Sequence, residues 1–188
     1  MGEAKVKHIR QTTQFSCVAA SVCSALNAIG KECSETDVNK VLGAGPMRGA
    51  RWEEAMGAIQ YFGGRGTLVI PATIAMVKEW TDQGIPVLIG WNPEGRPWSH
   101  ASVVFKVDDD HTVHVMDPNI PDPNETVRIV PKADFYRKWV EAASETLIVR
   151  RPALAVPLEV DPQGRQLVAS TRTASANKVA DRWMGGDE

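Results

Sequence analysis

The stretch from Gln11 to Gly30, QTTQFSCVAASVCSALNAIG, constrains this chain more than any other. Val18, Val22, Ala25, Leu26 and Ile29 recur at helical spacing, and Gly30 stops the run. Ala19, Ala20, Ser21, Ser24 and Ala28 fill the other positions with small side chains, so the helix can pack closely on more than one side. It is read as central and largely buried. Ser16 is read as its N-cap, which sets Cys17 at the first helical position. There the unsatisfied N–H groups and the helix macrodipole favour thiolate over thiol. Gln11, upstream of Cys17, can offer an amide N–H to a developing oxyanion, with Gln14 as its rival for that role.

The rest of the chain supplies helices first and strands later. A second helix is expected from Ser34, with Asp37 as capping-box partner and Gly43 as its end. A third is expected over 50–62 and a fourth around Ile74, Val77 and Trp80. Short apolar runs at Leu68–Ile70, Pro86–Trp91, His100–Val107, Thr112–Asp117, Thr126–Val130 and Thr146–Val149 read as strands, and Ala133–Ala142 as a further helix. This order predicts an α+β fold, N-terminal helices packed on a C-terminal antiparallel sheet. Residues 1–158 form the domain. Residues 159–188 carry few large apolar side chains and are expected to be a C-terminal extension that can dock on a subunit.

Composition narrows the classes. With 188 residues, 43% hydrophobic and 23% charged, the chain can bury a globular core. A net charge of -2 gives no surface for a polyanion, so no nucleic-acid partner is expected. No apolar run approaches the roughly 18 residues of a membrane span, and no signal-peptide core precedes Gln11. Three cysteines, an odd number, argue for a reducing compartment and a cytoplasmic location. Cys17, Cys23 and Cys33 lack zinc-ligand spacing, so neither metal nor cofactor is expected. Cys23 is read as core and Cys33 as a loop thiol without a partner.

The hairpin 100–117 carries the second half of the argument. A two- or four-residue loop centred on Asp109-Asp110 pairs Val107 with Thr112. That register sets Ser102 opposite Asp117 and makes His100 and Asp117 diagonal neighbours on one face. A three-residue loop would slip the register. A cysteine at a helix start, an imidazole and a carboxylate that orients it suit nucleophilic acyl transfer. The Gln11 amide and the Cys17 backbone N–H would form the oxyanion hole, where one donor is worth roughly 2.7–4 kcal/mol. Trp98 and Ser99, just before His100, are placed in the substrate cleft.

Gln11-x5-Cys17, Ser99-His100-Ala101-Ser102-Val103-Val104 and Val115-Met116-Asp117-Pro118 together resemble the papain-like, bacteriocin-processing cysteine peptidases that remove double-glycine leader peptides. The segment Pro131–Trp139 is similar to that family's closing elements. The resemblance runs over about residues 7–150, and Val18 stands where the family usually has glycine. It implies Cys17 as nucleophile, His100 as base, Asp117 as orienter, Gln11 as oxyanion donor, and a peptide or protein substrate. No transporter domain accompanies these residues. Two other readings stand beside it: an amidase, deamidase or acyltransferase using the same constellation, or a structural or adaptor component of a larger assembly, such as a virion or secretion complex, reusing the fold.

Overall fold

The computed structural model describes residues 4–46, 48–95, 99–120, 122, 124–142 and 148–157. The helices come first: α1 (Cys17–Ala28), α2 (Glu35–Leu42) and α3 (Trp52–Tyr61). After β1 (Thr67–Val69) and α4 (Ile74–Asp82) come β2 (Val87–Trp91), β3 (His100–Val107), β4 (Val113–Met116) and β5 (Arg128–Val130). The chain then forms α5 (Lys132–Lys138), β6 (Val140–Ala142), β7 (Ile148–Arg150) and β8 (Ala153–Ala155). Six strands make one antiparallel sheet in the order β1-β8-β2-β3-β4-β5, and β6 pairs with β7 apart from it.

The pleat of β2 divides its buried residues between two cores. Leu88, with Val103, Met116 and Leu154, packs against Val22 and Leu26 of α1, Val38 of α2 and Ile59 of α3. Val87, Ile89 and Trp91, with Val104 and Val115, pack against Ile74 and Val77 of α4, Phe135 of α5 and Trp139. Each large side chain so removed from water stabilises the fold by about 1.5–3 kcal/mol. The helices expected in the first sixty residues are present, and they cover one face of the sheet. The opposite face is covered by α4 and α5.

Four local expectations are corrected. Ser16 does not cap α1 with its side chain; its hydroxyl donates to the Thr13 carbonyl at 3.2 Å and accepts from the Thr13 N–H at 3.1 Å. The helix expected to reach Ala142 stops at Lys138. There Trp139 is drawn into the second core, its ring 5.0 Å from that of Phe135 and its indole N–H on the Pro152 carbonyl at 3.0 Å, and the chain continues as a strand. The strand β8 was not expected from Pro152-Ala153-Leu154-Ala155, whose alanines and flanking proline weaken the strand pattern. Cys33 is also not a lone thiol: its sulfur lies 3.3 Å from that of Cys23, within hydrogen-bond reach. The shared hydrogen bond holds Cys33 below the ordinary thiol value and pushes Cys23 above it.

Ser34 caps α2 as expected, accepting from the Asp37 N–H at 3.1 Å, and Thr73 caps α4 through the Met76 N–H at 3.2 Å. Thr73→Ala is expected to cost about 1 kcal/mol. Denaturant unfolding checks this.

The hairpin reaches its register by a different route. Val107 pairs with Val113, not Thr112. The loop is the three-residue Asp109-Asp110-His111, closed by Asp108 N–H to Thr112 O and His111 N–H to Asp108 O, each 2.9 Å. His111 sits at φ 65°, and the Asp110 carboxylate takes the Thr112 N–H at 2.9 Å. By itself this loop would carry His100 out of line. A bulge at Phe105, between the pairs Val104–Val115 and Lys106–His114, shifts the register back by one. Val103 then faces Met116, and one step further Ser102 comes opposite Asp117.

Candidate active site

Three pieces of chain meet where α1 begins. Cys17 opens α1 and His100 opens β3. Asp117 follows β4, in a turn closed by the Ile120 N–H on its own carbonyl at 3.3 Å. The N-terminal segment is laced onto that turn through main-chain groups. Gln11 N–H donates to Pro118 O at 3.0 Å, Arg10 donates to Ile120 O at 2.8 Å, and the His8 ring contacts Asp117 O at 3.0 Å. The loop from Gln11 to Ser16 is held from the other side by Glu35, a buried carboxylate that accepts the Thr12 N–H at 3.0 Å.

The His100 ring nitrogen Nε2 lies 2.6 Å from Asp117 Oδ1, which leaves Nδ1 for the hydrogen bond to the Cys17 thiol. Asp117 is fully buried. Its Oδ1 also accepts the Asn119 N–H at 2.9 Å, and its Oδ2 takes Nε of Arg128 at 2.5 Å. Arg128 reaches past it, with Nη2 3.6 Å from Glu94 Oε1.

Each group's protonation follows from these contacts. Burial would raise the Cys17 pKa, but the hydrogen bond and charge of His100 outweigh it, helped by the Ala101 and Val18 N–H groups, and the thiol is held below its ordinary value. Burial would lower His100, yet Asp117 and Cys17 raise it to about 9. Burial would raise Asp117, but His100, the Asn119 N–H and Arg128 keep it below the usual carboxylate range. All three shifts run in the direction that favours a thiolate beside an imidazolium beside a carboxylate.

The cleft has two lobes that share Cys17, Ser99 and His100. One is polar, walled by Gln11, Gln14, Asn92, Glu94, Asp117 and Asn119. The other is lined by Val18, Gly49, Ala50, Arg51, Trp52, Ala55, Gly90 and Ala101, small or apolar apart from the arginine. The structure thus brings Gln11, Cys17, Ser99, His100 and Asp117 to one cleft. Trp98 lies outside the described residues, as do residues 158–188 and with them the expected docking tail. The Gln11 amide donates to Thr13 O at 2.7 Å, so one of its two N–H groups is spent within the loop. Ser16, turned back to Thr13, leaves the first-turn N–H groups of α1 without a side-chain cap.

Arg128 and Glu35 were not singled out from the sequence. Arg128 begins an edge strand in an alternating pattern, where an arginine reads as a solvated residue. Glu35 sits in the first turn of a helix, where an acid is ordinary. Among the described residues, no helix is long and apolar enough to cross a membrane.

No curated protein matches this sequence. Solved structures do. The chain is similar to a double glycine motif protease from an AMS/PCAT transporter, solved in complex with the leader peptide, at 19% identity and a TM-score of 0.61, over 83% of this chain and 94% of that one. It is similar to the peptidase domain of Streptococcus ComA, a bi-functional ABC transporter involved in a quorum sensing pathway, at 17% identity and a TM-score of 0.63, over 81% and 98%. A C39-like peptidase from Bacillus anthracis superposes at 14% identity with a TM-score of 0.64, over 82% and 95%. These likenesses establish the papain-like fold. The Peptidase_C39 like family matches residues 3–147, the span that holds Gln11, Cys17, His100 and Asp117. A match over that much of the sequence makes the chain a member of the Peptidase_C39 like family, and a cysteine peptidase.

Proposed function

We propose that the chain hydrolyses a peptide bond through a thioester on Cys17. The observation that carries this reading is the continuous hydrogen-bonded line from Cys17 through His100 to Asp117, drawn up at the start of α1. The thiolate attacks the scissile carbonyl and forms the C–S bond. The carbonyl π electrons move to oxygen, where the Cys17 N–H and the remaining Gln11 amide N–H face the new negative charge. The imidazolium of His100 gives its proton to the leaving nitrogen as the C–N bond breaks. Water then attacks the thioester, His100 takes its proton, and the thiolate leaves. Asp117 keeps the ring turned so that one nitrogen always faces the sulfur.

The cleft suggests the substrate. Gly49, Gly90 and three alanines leave room for main chain but little for large side chains, and Trp52 offers an apolar wall. A peptide with small residues before the cut fits that lobe, and its outgoing half fits the polar lobe. The protease in the first solved relative acts at a double glycine motif and was captured with a leader peptide. The same kind of peptide is the substrate class proposed here. Incubation with peptides carrying Gly-Gly between an apolar segment and a polar one, read by mass spectrometry, is expected to show a single cut after the second glycine. Intact peptide throughout would overturn the substrate class.

The ion pair predicts a pH profile that needs no substrate. Alkylation of Cys17 by iodoacetamide is expected to persist well below the ordinary thiol range, because His100 holds the sulfur as thiolate. The measurement belongs in Cys33→Ser protein, since Cys33 too is held below the ordinary thiol value. Hydrolysis should rise as the thiolate forms and fall as the pH rises through about 9, where His100 loses the proton that the leaving amine requires. The linkage has a matching sign. The raised His100 stabilises the fold fully below about pH 6.5, and that contribution is lost as the pH climbs through about 9.

A further inference from the structure

We propose that Arg128 is a positioning residue for the reaction, clamping one oxygen of Asp117 so that the other stays aimed at His100. The inference rests on the peptidase reading above and extends it by one residue. The geometry has the logic of the hairpin, repeated on the opposite side. Ser102 of β3 comes opposite Asp117, so His100 is its diagonal neighbour. Val115 of β4 pairs with Arg128 of β5, so Arg128 is the diagonal neighbour of Asp117 from the other strand. The carboxylate is thereby flanked from both adjacent strands, by the imidazole on Oδ1 at 2.6 Å and by the guanidinium on Oδ2 at 2.5 Å.

Asp117 has no exposure to water, so its charge survives on these partners alone. Asn119 N–H and His100 both use Oδ1. Arg128 is the cation on Oδ2, and it is itself about a quarter exposed. Remove it and the carboxylate has two ways to relieve the burial: it takes up a proton, or it swings toward water. Either weakens its hold on the imidazolium, and through the imidazolium on the Cys17 thiolate. The repulsion between guanidinium and imidazolium works the other way, but it acts across the intervening carboxylate and at greater distance. The planar fork also matters. Nε points at Asp117 while Nη2 faces Glu94 on the wall of the polar lobe, so one rigid group ties the orienting acid to the cleft.

The test compares parent, Arg128→Gln and Arg128→Lys, all in the Cys33→Ser background. Two readouts are taken: kcat and KM for a cleaved peptide, and the pH dependence of Cys17 alkylation by iodoacetamide. For Arg128→Gln the expected result is a kcat lower by roughly a hundredfold, the size that misplacing a catalytic group produces. Its alkylation limb moves up toward the ordinary thiol range, and its alkaline limb of hydrolysis moves down from about 9. Arg128→Lys restores the charge and recovers most of both. Folded Arg128→Gln protein with the parent's limb and the parent's kcat would overturn the proposal, whatever its melting temperature. Should Arg128→Gln fail to fold, Arg128→Met, which keeps the apolar stem and drops the charge, decides by the same readouts: a moved limb supports the proposal and an unmoved one sinks it. The two readings separate cleanly. A limb that moves in a protein whose parent cuts no peptide refutes the peptidase reading and keeps Arg128; cleavage with an unmoved limb does the reverse.

Discussion

Cys17→Ala is expected to bring peptide hydrolysis down to background while the melting temperature stays within a few degrees of the parent. The loss is large because nothing else in the cleft can form the thioester: removing the nucleophile of an acyl-transfer site costs on the order of 10⁶-fold. The fold is spared for three reasons. Cys17 is at the first position of α1, where few intrahelical contacts depend on its side chain. Alanine is the best helix former. The substitution also removes a thiolate that burial disfavours. Circular dichroism and a cleavage assay on the same preparation make the comparison. Retained hydrolysis in Cys17→Ala protein would defeat the mechanism outright, and loss of the helical signal would show Cys17 to be structural.

Asp117→Asn is expected to damage both rate and stability. The amide can still occupy the site and accept one hydrogen bond, but it offers the imidazolium no charge, and its N–H face meets a donor where an acceptor is required. In a comparable triad this change costs about 10⁴ in rate. Here it also leaves the guanidinium of Arg128 facing a neutral group. Breaking a buried ion pair on one side costs roughly 3–5 kcal/mol, and Asp117 is fully buried. The pH dependence gives a sharper check. Asp117 is held below its ordinary value, so its contribution is present above about pH 4 and is lost as the pH falls through its folded value. Melting curves of parent and Asp117→Asn protein should therefore lie far apart at neutral pH and converge in acid. Curves that stay parallel down to pH 2 would show that the charge of Asp117 contributes nothing to the fold.

The sequence was most informative where local rules act alone. The helix α1 follows from spacing and small residues, Ser34 from cap chemistry, and β2 from an unbroken apolar run bounded by turn signals. The meeting of His100 and Asp117 was legible for a less secure reason. Two errors cancelled: the loop has three residues, and the bulge at Phe105 adds the one that restores the register. Neither leaves a clear mark in Asp108-Asp109-Asp110-His111, because His111 adopts the left-handed conformation without a glycine to announce it. What could not be read depends on distant partners. Trp139 ends α5 because a pocket beneath the sheet takes its ring. Arg128 matters only once β5 lies beside β4. Ser16 looked like a cap by type, and a loop three residues earlier claimed its hydroxyl.

The position of β8 inside the sheet, between β1 and β2, sets an order on biosynthesis. This strand is the last described element of the chain, yet β1 reaches β2 only through it. A polypeptide emerging from the ribosome can build α1, α2 and α3 early, from contacts close in sequence. It cannot close the sheet until residue 155 is free, and folding dominated by such distant pairings is slow. Cys17 is made near the start and His100 midway, but the sheet beneath them is completed only by the last described strand. Until β8 is made, β1 has no neighbouring strand in the sheet and β2 keeps one open edge.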